Sequence, residues 1–100
     1  MKMDNDHFSL LRKIQSKPGL SQRKLAKDLG FSLGKLNYCL NALKDKGLLK
    51  MKNFRNNKNK LNYIYVLTPK GIREKTKLTI SFIKRKQKEY DELLEEMKNK

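Results

Sequence analysis

A mainly α-helical fold carrying one small β-hairpin is predicted by three features of this sequence. Residues 21–47 read as two short capped helices around a glycine, residues 48–67 change to strand texture around a polar, basic tip, and residues 69–100 run on without a helix breaker. Each change in texture marks a boundary between elements.

The first helix is expected to start at Asp6 as its cap and to turn Phe8, Leu10, Leu11 and Ile14 inward. It ends where Pro18 forces Lys17 out of helical geometry, and Lys17-Pro18-Gly19 forms a turn. Ser21 then caps a second helix with Leu25, Ala26 and Leu29 on its apolar face, and Gly30 supplies the left-handed residue at which it stops. Ser32 caps a third helix, in which Leu33, Leu36, Leu40 and Leu43 recur at helical spacing and Gly47 closes the far end. The opposite side of this third helix is polar: Gly34, Lys35, Tyr38 and Asn41, with Ser32 at the tip and Asn37 on the flank. All of these can contact phosphates or base edges. A glycine in the first turn of a helix costs about 1 kcal/mol relative to alanine, and Gly34 is therefore read as a point of close approach to a backbone such as that of DNA.

The segment LLKMKNF, the run RNNKNK and the segment LNYIYVLT read as two strands joined by a loop at 55–60. Alternation puts Tyr63, Tyr65 and Leu67 on one face of the second strand and Ile64 and Val66 on the other, so both faces are expected to be partly covered. The loop carries Arg55, Asn57, Lys58 and Lys60. Directly after a helix-turn-helix, a basic hairpin reads as the wing of a winged helix, reaching phosphates or the minor groove.

Thr68 is the expected cap of the last helix, with Pro69 at its first position, where the missing N–H does no harm. A helix from 69 to about 97 would be roughly 44 Å long, more than so small a core can cover. Ile72, Thr76, Thr79, Ile83, Lys86, Tyr90, Leu93 and Met97 recur at alternating spacings of four and three, a heptad seam widened by Ile80 and Leu94. This predicts dimerisation through a coiled coil. Lys70, Arg73, Lys75 and Lys77 crowd the start of the helix, whereas Glu89, Asp91, Glu92, Glu95 and Glu96 crowd its end. An antiparallel pair places each acidic end along the partner's basic start, and a parallel pair places acid beside acid. The expected division is thus a DNA-binding winged helix-turn-helix over 1–68 and a dimerisation helix over 69–100.

The chain has 25 Lys and Arg against 10 Asp and Glu, a net charge of +15, which matches a polyanion. Double-stranded DNA is the first candidate partner. An anionic membrane is not expected, because the seam of the last helix includes two threonines where a membrane face needs large apolar residues. Neither a signal peptide nor a spanning segment is legible, so the expected location is cytoplasmic. Cys39 is the single cysteine, read as a buried structural thiol, and His7 is the single histidine, read as a surface residue or local cap. No zinc site can be assembled from them, and no cofactor is expected.

An enzyme is not expected either: Asp28 and Asp45 read as helix-surface charges, and His7 has no nucleophile beside it. The run from Gly30 to Lys35 echoes a phosphate loop but is one residue short, with Leu36 where a magnesium-binding hydroxyl would be needed. A basic winged helix can also bind structured RNA or a protein partner. The base-reading chemistry of Lys35, Asn37, Tyr38 and Asn41 favours DNA over both.

The order of elements, with Ser32-Leu33-Gly34-Lys35, Asn37-Tyr38-Cys39, Asn59-Lys60-Leu61 and the run Leu67 to Gly71, resembles winged-helix transcriptional regulators of the MarR type. More narrowly it is similar to a small subgroup associated with exopolysaccharide gene clusters, over residues 10–90. The resemblance implies a homodimer with one recognition helix per subunit in the major groove and a wing beside it. On the matching segment it adds Ser21, Gln22 and Arg23 to the candidate DNA contacts. Larger MarR regulators have extra helices that form a ligand pocket. This chain lacks the length for them, so no small-molecule ligand is expected.

Overall fold

The computed structural model describes residues 4–55 and 61–99. The elements follow in the order α1 (Asn5–Ser16), α2 (Gln22–Leu29), α3 (Leu33–Asp45), β1 (Leu49–Arg55), β2 (Leu61–Leu67) and α4 (Pro69–Lys98). The strands pair antiparallel, with Leu49 opposite Leu67 at the root of the hairpin and Asn53 opposite Tyr63 further out. The fold is mostly helical, a winged helix-turn-helix continued by one long helix.

Helix α1 begins earlier than predicted. Its cap is Asp4 rather than Asp6, and the Asp4 carboxylate accepts from the His7 backbone N–H at 3.0 Å and from His7 Nδ1 at 2.7 Å. An ionised carboxylate can only accept, so Nδ1 of His7 is the donor in this contact. The backbone hydrogen bond from His7 holds the Asp4 carboxyl below its usual range. His7 is buried, not at the surface, because it lies one turn before Leu11 and two before Ile14 on the same inward side of the helix. Its Nε2 has no partner among the described residues.

The core forms where α1, α2 and α3 converge on the root of the hairpin. Leu10, Leu11 and Ile14 meet Leu25 and Ala26 of α2, Leu36, Cys39, Leu40 and Leu43 of α3, and Leu48 and Leu49 at the start of β1. Leu33 departs from the predicted apolar face: it is 47% exposed, since the first residue after the Ser32 cap overhangs the end of the core. Burial pushes the Cys39 thiol above its usual range and leaves it a packing group. On β2 the expected two-sided cover holds for Ile64, Tyr65, Val66 and Leu67, but Tyr63 is exposed.

Helix α4 is fixed to this body at two places. At its start, Thr68 Oγ1 accepts from Gly71 N at 3.0 Å and donates to the Gly47 carbonyl, while Thr68 N donates to Leu48 O at 3.0 Å. Lys70 Nζ reaches the Lys46 carbonyl at 3.0 Å, and Gly71 is buried against the Leu48 backbone. Within three residues of the end of α3, the chain is thus stitched to the helix that follows the hairpin. The second attachment is a ring stack: Phe8 of α1 lies on Phe82 with centroids 4.6 Å apart and planes inclined by 16°. Arg12 lies 5.8 Å from the Phe8 ring centroid and Arg85 4.7 Å from that of Phe82.

Beyond the stack, every residue from 83 to 99 is exposed, and the chain measures 65 Å along its longest axis against 26 and 25 Å across. The first half of α4 therefore folds back on its own domain, and the second half projects from it. Along the predicted seam Ile72, Ile80, Ile83, Tyr90, Leu93, Leu94 and Met97 are all exposed. Thr76 and Thr79 turn their hydroxyls back to the carbonyls of Ile72 and Lys75, which hides their polarity from a neighbour.

Gly71 separates local preference from tertiary demand. On helix propensity alone, Gly71→Ala should stabilise by about 1 kcal/mol. A Cβ at this position would instead collide with the carbonyl oxygen of Leu48. The expected outcome in urea unfolding is a net loss of about 2 kcal/mol or more, and a gain would show that α4 can lift away from Leu48 without cost.

Candidate nucleic-acid interface

The helix-turn-helix is built from two repeats of one local device. Ser21 Oγ accepts from Lys24 N and Ser32 Oγ accepts from Lys35 N, each at 3.1 Å, so each hydroxyl satisfies a free amide at a helix start and keeps its own proton to donate outward. Between them Gly30 adopts φ 71°, and Phe31 N donates to Ala26 O at 2.8 Å to seal the end of α2. This fixes the angle at which α3 leaves α2.

The outer face of α3 carries the candidate residues. Tyr38 is 69% exposed, and Asn37, Asn41, Ser32 and Gly34 are exposed beside it. A Cβ at Gly34 would meet nothing in the chain within 4 Å, so nothing inside this molecule requires a glycine there. Gln22 and Arg23 are exposed at the start of α2. The neighbouring Lys24 is engaged with Asp28 at 3.2 Å, and Lys13 approaches the same carboxylate at 3.6 Å. The hydrogen bond from Lys24 holds the Asp28 carboxyl below its usual range.

Lys35 behaves differently from its neighbours. Its Nζ sits 2.7 Å from Asp6 Oδ2 of α1 and 4.5 Å from the centroid of the Phe31 ring. The hydrogen bond to Asp6 raises the Lys35 ammonium above its usual range. Asp6, expected as a cap, is thus the counter-ion of a candidate DNA contact, and Phe31 is the platform beneath it. Sequence reasoning missed both partners, since Asp6 and Lys35 meet only once α1 and α3 are packed. Both side chains are close to half exposed, so the pair is weak and exchangeable.

On the hairpin, Asn57, Lys58 and Lys60 lie outside the described residues, as does the side chain of Arg55, whose backbone ends β1. Lys50 and Lys52 of β1 are exposed and were not singled out by the sequence pattern. Among the described residues no group of three His, Cys, Asp or Glu is placed to hold a metal ion. No helix among them is long and apolar enough to cross a membrane.

Residues 3–50 match a family described as winged helix-turn-helix DNA-binding, a match that ends just inside β1. No curated protein sequence matches the chain. Among solved structures, the chain is similar to the PcaV transcriptional regulator from Streptomyces coelicolor in complex with its natural ligand, with a TM-score of 0.70 at 21% identity over 85% of this chain and 59% of that one. It is also similar to the zinc-responsive MarR family member ZitR of Lactococcus lactis, with a TM-score of 0.68 at 19% identity over 93% and 62% of the two chains. The FabT protein of Streptococcus pneumoniae in complex with DNA gives a TM-score of 0.62 at 22% identity over 88% and 59%. At such identities the likeness is one of fold. The chain spans about three fifths of the length of these relatives.

Breaking the Asp6 pair should expose what Lys35 does. Asp6→Asn is expected to strengthen binding to duplex DNA several-fold and to steepen log affinity against log salt by up to ~1 unit per subunit, as one more lysine becomes free to displace a counter-ion. An unchanged slope in a salt titration would show that Lys35 stays clear of the phosphates.

Proposed function

We propose that this chain is a sequence-specific, DNA-binding transcriptional regulator of the MarR type, acting as a homodimer. The observation that carries the reading is the outer face of α3, where Asn37, Tyr38 and Asn41 stand exposed around the bare backbone of Gly34. These side chains offer hydrogen bonds to base edges, and Leu33, exposed at the tip, offers an apolar contact of the kind a thymine methyl takes. The net charge of +15 supplies the sequence-independent attraction to phosphates. The fold shared with FabT, solved in complex with DNA, supports the same mode of binding. Ser21, Gln22, Arg23 and Ser32 are assigned to the phosphate backbone, and Arg55, Asn57, Lys58 and Lys60 to the wing.

Dimerisation is assigned to α4. Its exposed seam from Ile72 to Met97 is too apolar to stand in water alone, and its basic start and acidic end favour an antiparallel partner. The runs Ser32 to Cys39 and Leu67 to Gly71, which resemble regulators of exopolysaccharide gene clusters, nominate such clusters as the first operators to try. The asparagines of α3 offer base-edge hydrogen bonds that a simple charge clamp on structured RNA or on a protein would not need.

Selection of bound duplexes from a random pool tests the reading. A single enriched motif is expected, and enrichment of RNA hairpins over every duplex would replace it. On the selected site, Lys35→Ala, Asn37→Ala and Tyr38→Ala should each cost ~1 to 3 kcal/mol of specific binding with little change in thermal stability. The face is misassigned if all three bind like wild type. For the helix pairing, in a Cys39→Ser background Ile83→Cys should cross-link with itself readily and Met97→Cys should not. Rapid disulfide formation at position 97 would establish a parallel pair.

A further inference from the structure

Alongside the seam, and sharing Leu93 with its edge, α4 carries a second pattern. Eighteen residues make five turns of an α-helix, so residues 18 apart share one side of it. Glu89, Leu93 and Glu96 therefore stand on the same side as Gly71, Lys75 and Leu78. In the first half of the helix that side faces the chain's own domain, where Gly71 is buried and Lys75 and Leu78 are half-buried. In the second half the same side faces nothing, and Glu89, Leu93 and Glu96 are exposed.

A two-fold axis decides what this side meets. The seam residues Ile72, Ile83 and Tyr90 lie roughly a quarter to a third of a turn around the helix from the domain-facing side, at about 100° per residue. The axis of an antiparallel pair keeps that offset for both chains, and so carries both domains to one side of the helix pair. With the helices crossing near Ile83, Asp91 of one chain comes level with Lys75 of the other. The projecting half of each helix then passes the partner's domain with Glu89, Leu93 and Glu96 turned toward it.

At that level the domain presents a basic groove. It lies between α1, α2 and α4, with Arg12, Lys13 and Lys75 among its walls and Asp28 as the acidic group in it. Lys13 shares Asp28 with Lys24, which leaves the groove net positive. The facing surface on the projecting helix is two carboxylates about a leucine. Glu89 has Lys86 at 3.7 Å, a fully solvated contact that a partner can displace.

We infer that the projecting half of α4 is an arm that docks across the partner subunit's α1–α4 groove, with Glu89 and Glu96 against Arg12 and Lys13 and Leu93 between them. The inference rests on the homodimer assigned above. It makes each winged domain a contact of both helices, so the spacing of the two recognition helices is set by the arms as well as by the seam. In the free chain the arm has no such support.

The test is a charge exchange between chains. An arm variant, Glu89→Lys with Glu96→Lys, alters only exposed positions, and a groove variant, Arg12→Glu with Lys13→Glu, alters α1 alone. Each is expected to weaken the homodimer at least about tenfold in sedimentation equilibrium at low salt. Mixed together they should form a heterodimer within about threefold of wild-type affinity, because both arm-to-groove contacts become complementary again, and the four changes on one chain should restore the homodimer. Because the groove changes lie on α1, rescue cannot come from helix-to-helix contact along the seam. Wild-type dimerisation by the arm variant, or no preference for the heterodimer, overturns the docking while leaving the dimer intact. A monomeric wild type overturns instead the homodimer on which it rests.

Discussion

The start of α4 lies so close to the backbone between α3 and β1 that a Cβ at Gly71 would collide with the Leu48 carbonyl oxygen, and the placement of the long helix follows from this contact. Thr68 caps α4 with the same hydroxyl that grips the Gly47 carbonyl, its backbone N–H holds Leu48, and Gly71 lets the helix lie on Leu48 with no side chain between. A left-handed residue at Gly47, φ 75°, turns the chain out of α3 at this point. The end of the recognition helix, the root of the hairpin and the origin of the long helix are thereby joined within a few residues. A tilt of α4 at its start would act on this joint, and through it on the end of α3.

The first turn of α1 does a comparable amount with few residues. Asp4 and His7 close its amide end, Asp6 reaches across to Lys35 of α3, and Phe8 receives Phe82 of α4. Three consecutive functions fall on a single turn because successive residues point in directions about 100° apart, toward the core, toward α3 and toward α4. The buried His7 Nε2 and the capping carboxylate of Asp4 belong to this turn as well. It links the recognition helix to the long helix by a second route, independent of the Thr68 joint.

Charge is distributed to match the division of labour. Residues 1–68 hold 15 basic against 4 acidic side chains, and the acids there are largely engaged: Asp4 in a cap, Asp6 with Lys35, and Asp28 between two lysines. The domain therefore presents cations to its surroundings and keeps its carboxylates occupied. Glu89, Asp91, Glu92, Glu95 and Glu96 are instead concentrated toward the far end of α4, exposed and past the point where that helix leaves the domain. An acidic segment placed there is compatible with nucleic-acid binding and suited to a protein contact.

The helices, the turn glycines, the hairpin and the long last helix were legible in the sequence because each is specified locally. Ser21, Ser32 and Thr68 cap amides three residues away, Gly30 and Gly47 take a conformation that other residues resist, and the apolar spacing of α3 names its buried side. The same locality marked Asn37, Tyr38 and Asn41 as outward, since what is not on the apolar face must leave it. What only the tertiary structure decided were the meetings of distant residues. Asp6 was read as a cap because a carboxylate near a helix start has that role by default, and its pairing with Lys35 depends on how α1 crosses α3. Leu33 fits the apolar spacing of α3 yet overhangs the core, because periodicity fixes direction around a helix and not how far along it the neighbouring elements extend. Gly71 entered the sequence reading only as the end of the run Leu67 to Gly71, and it proved to be the place where two backbones touch. Phe82, outside the heptad seam, carried no periodic signal at all, and its stack on Phe8 marks where α4 stops lying on its own domain and begins to project from it.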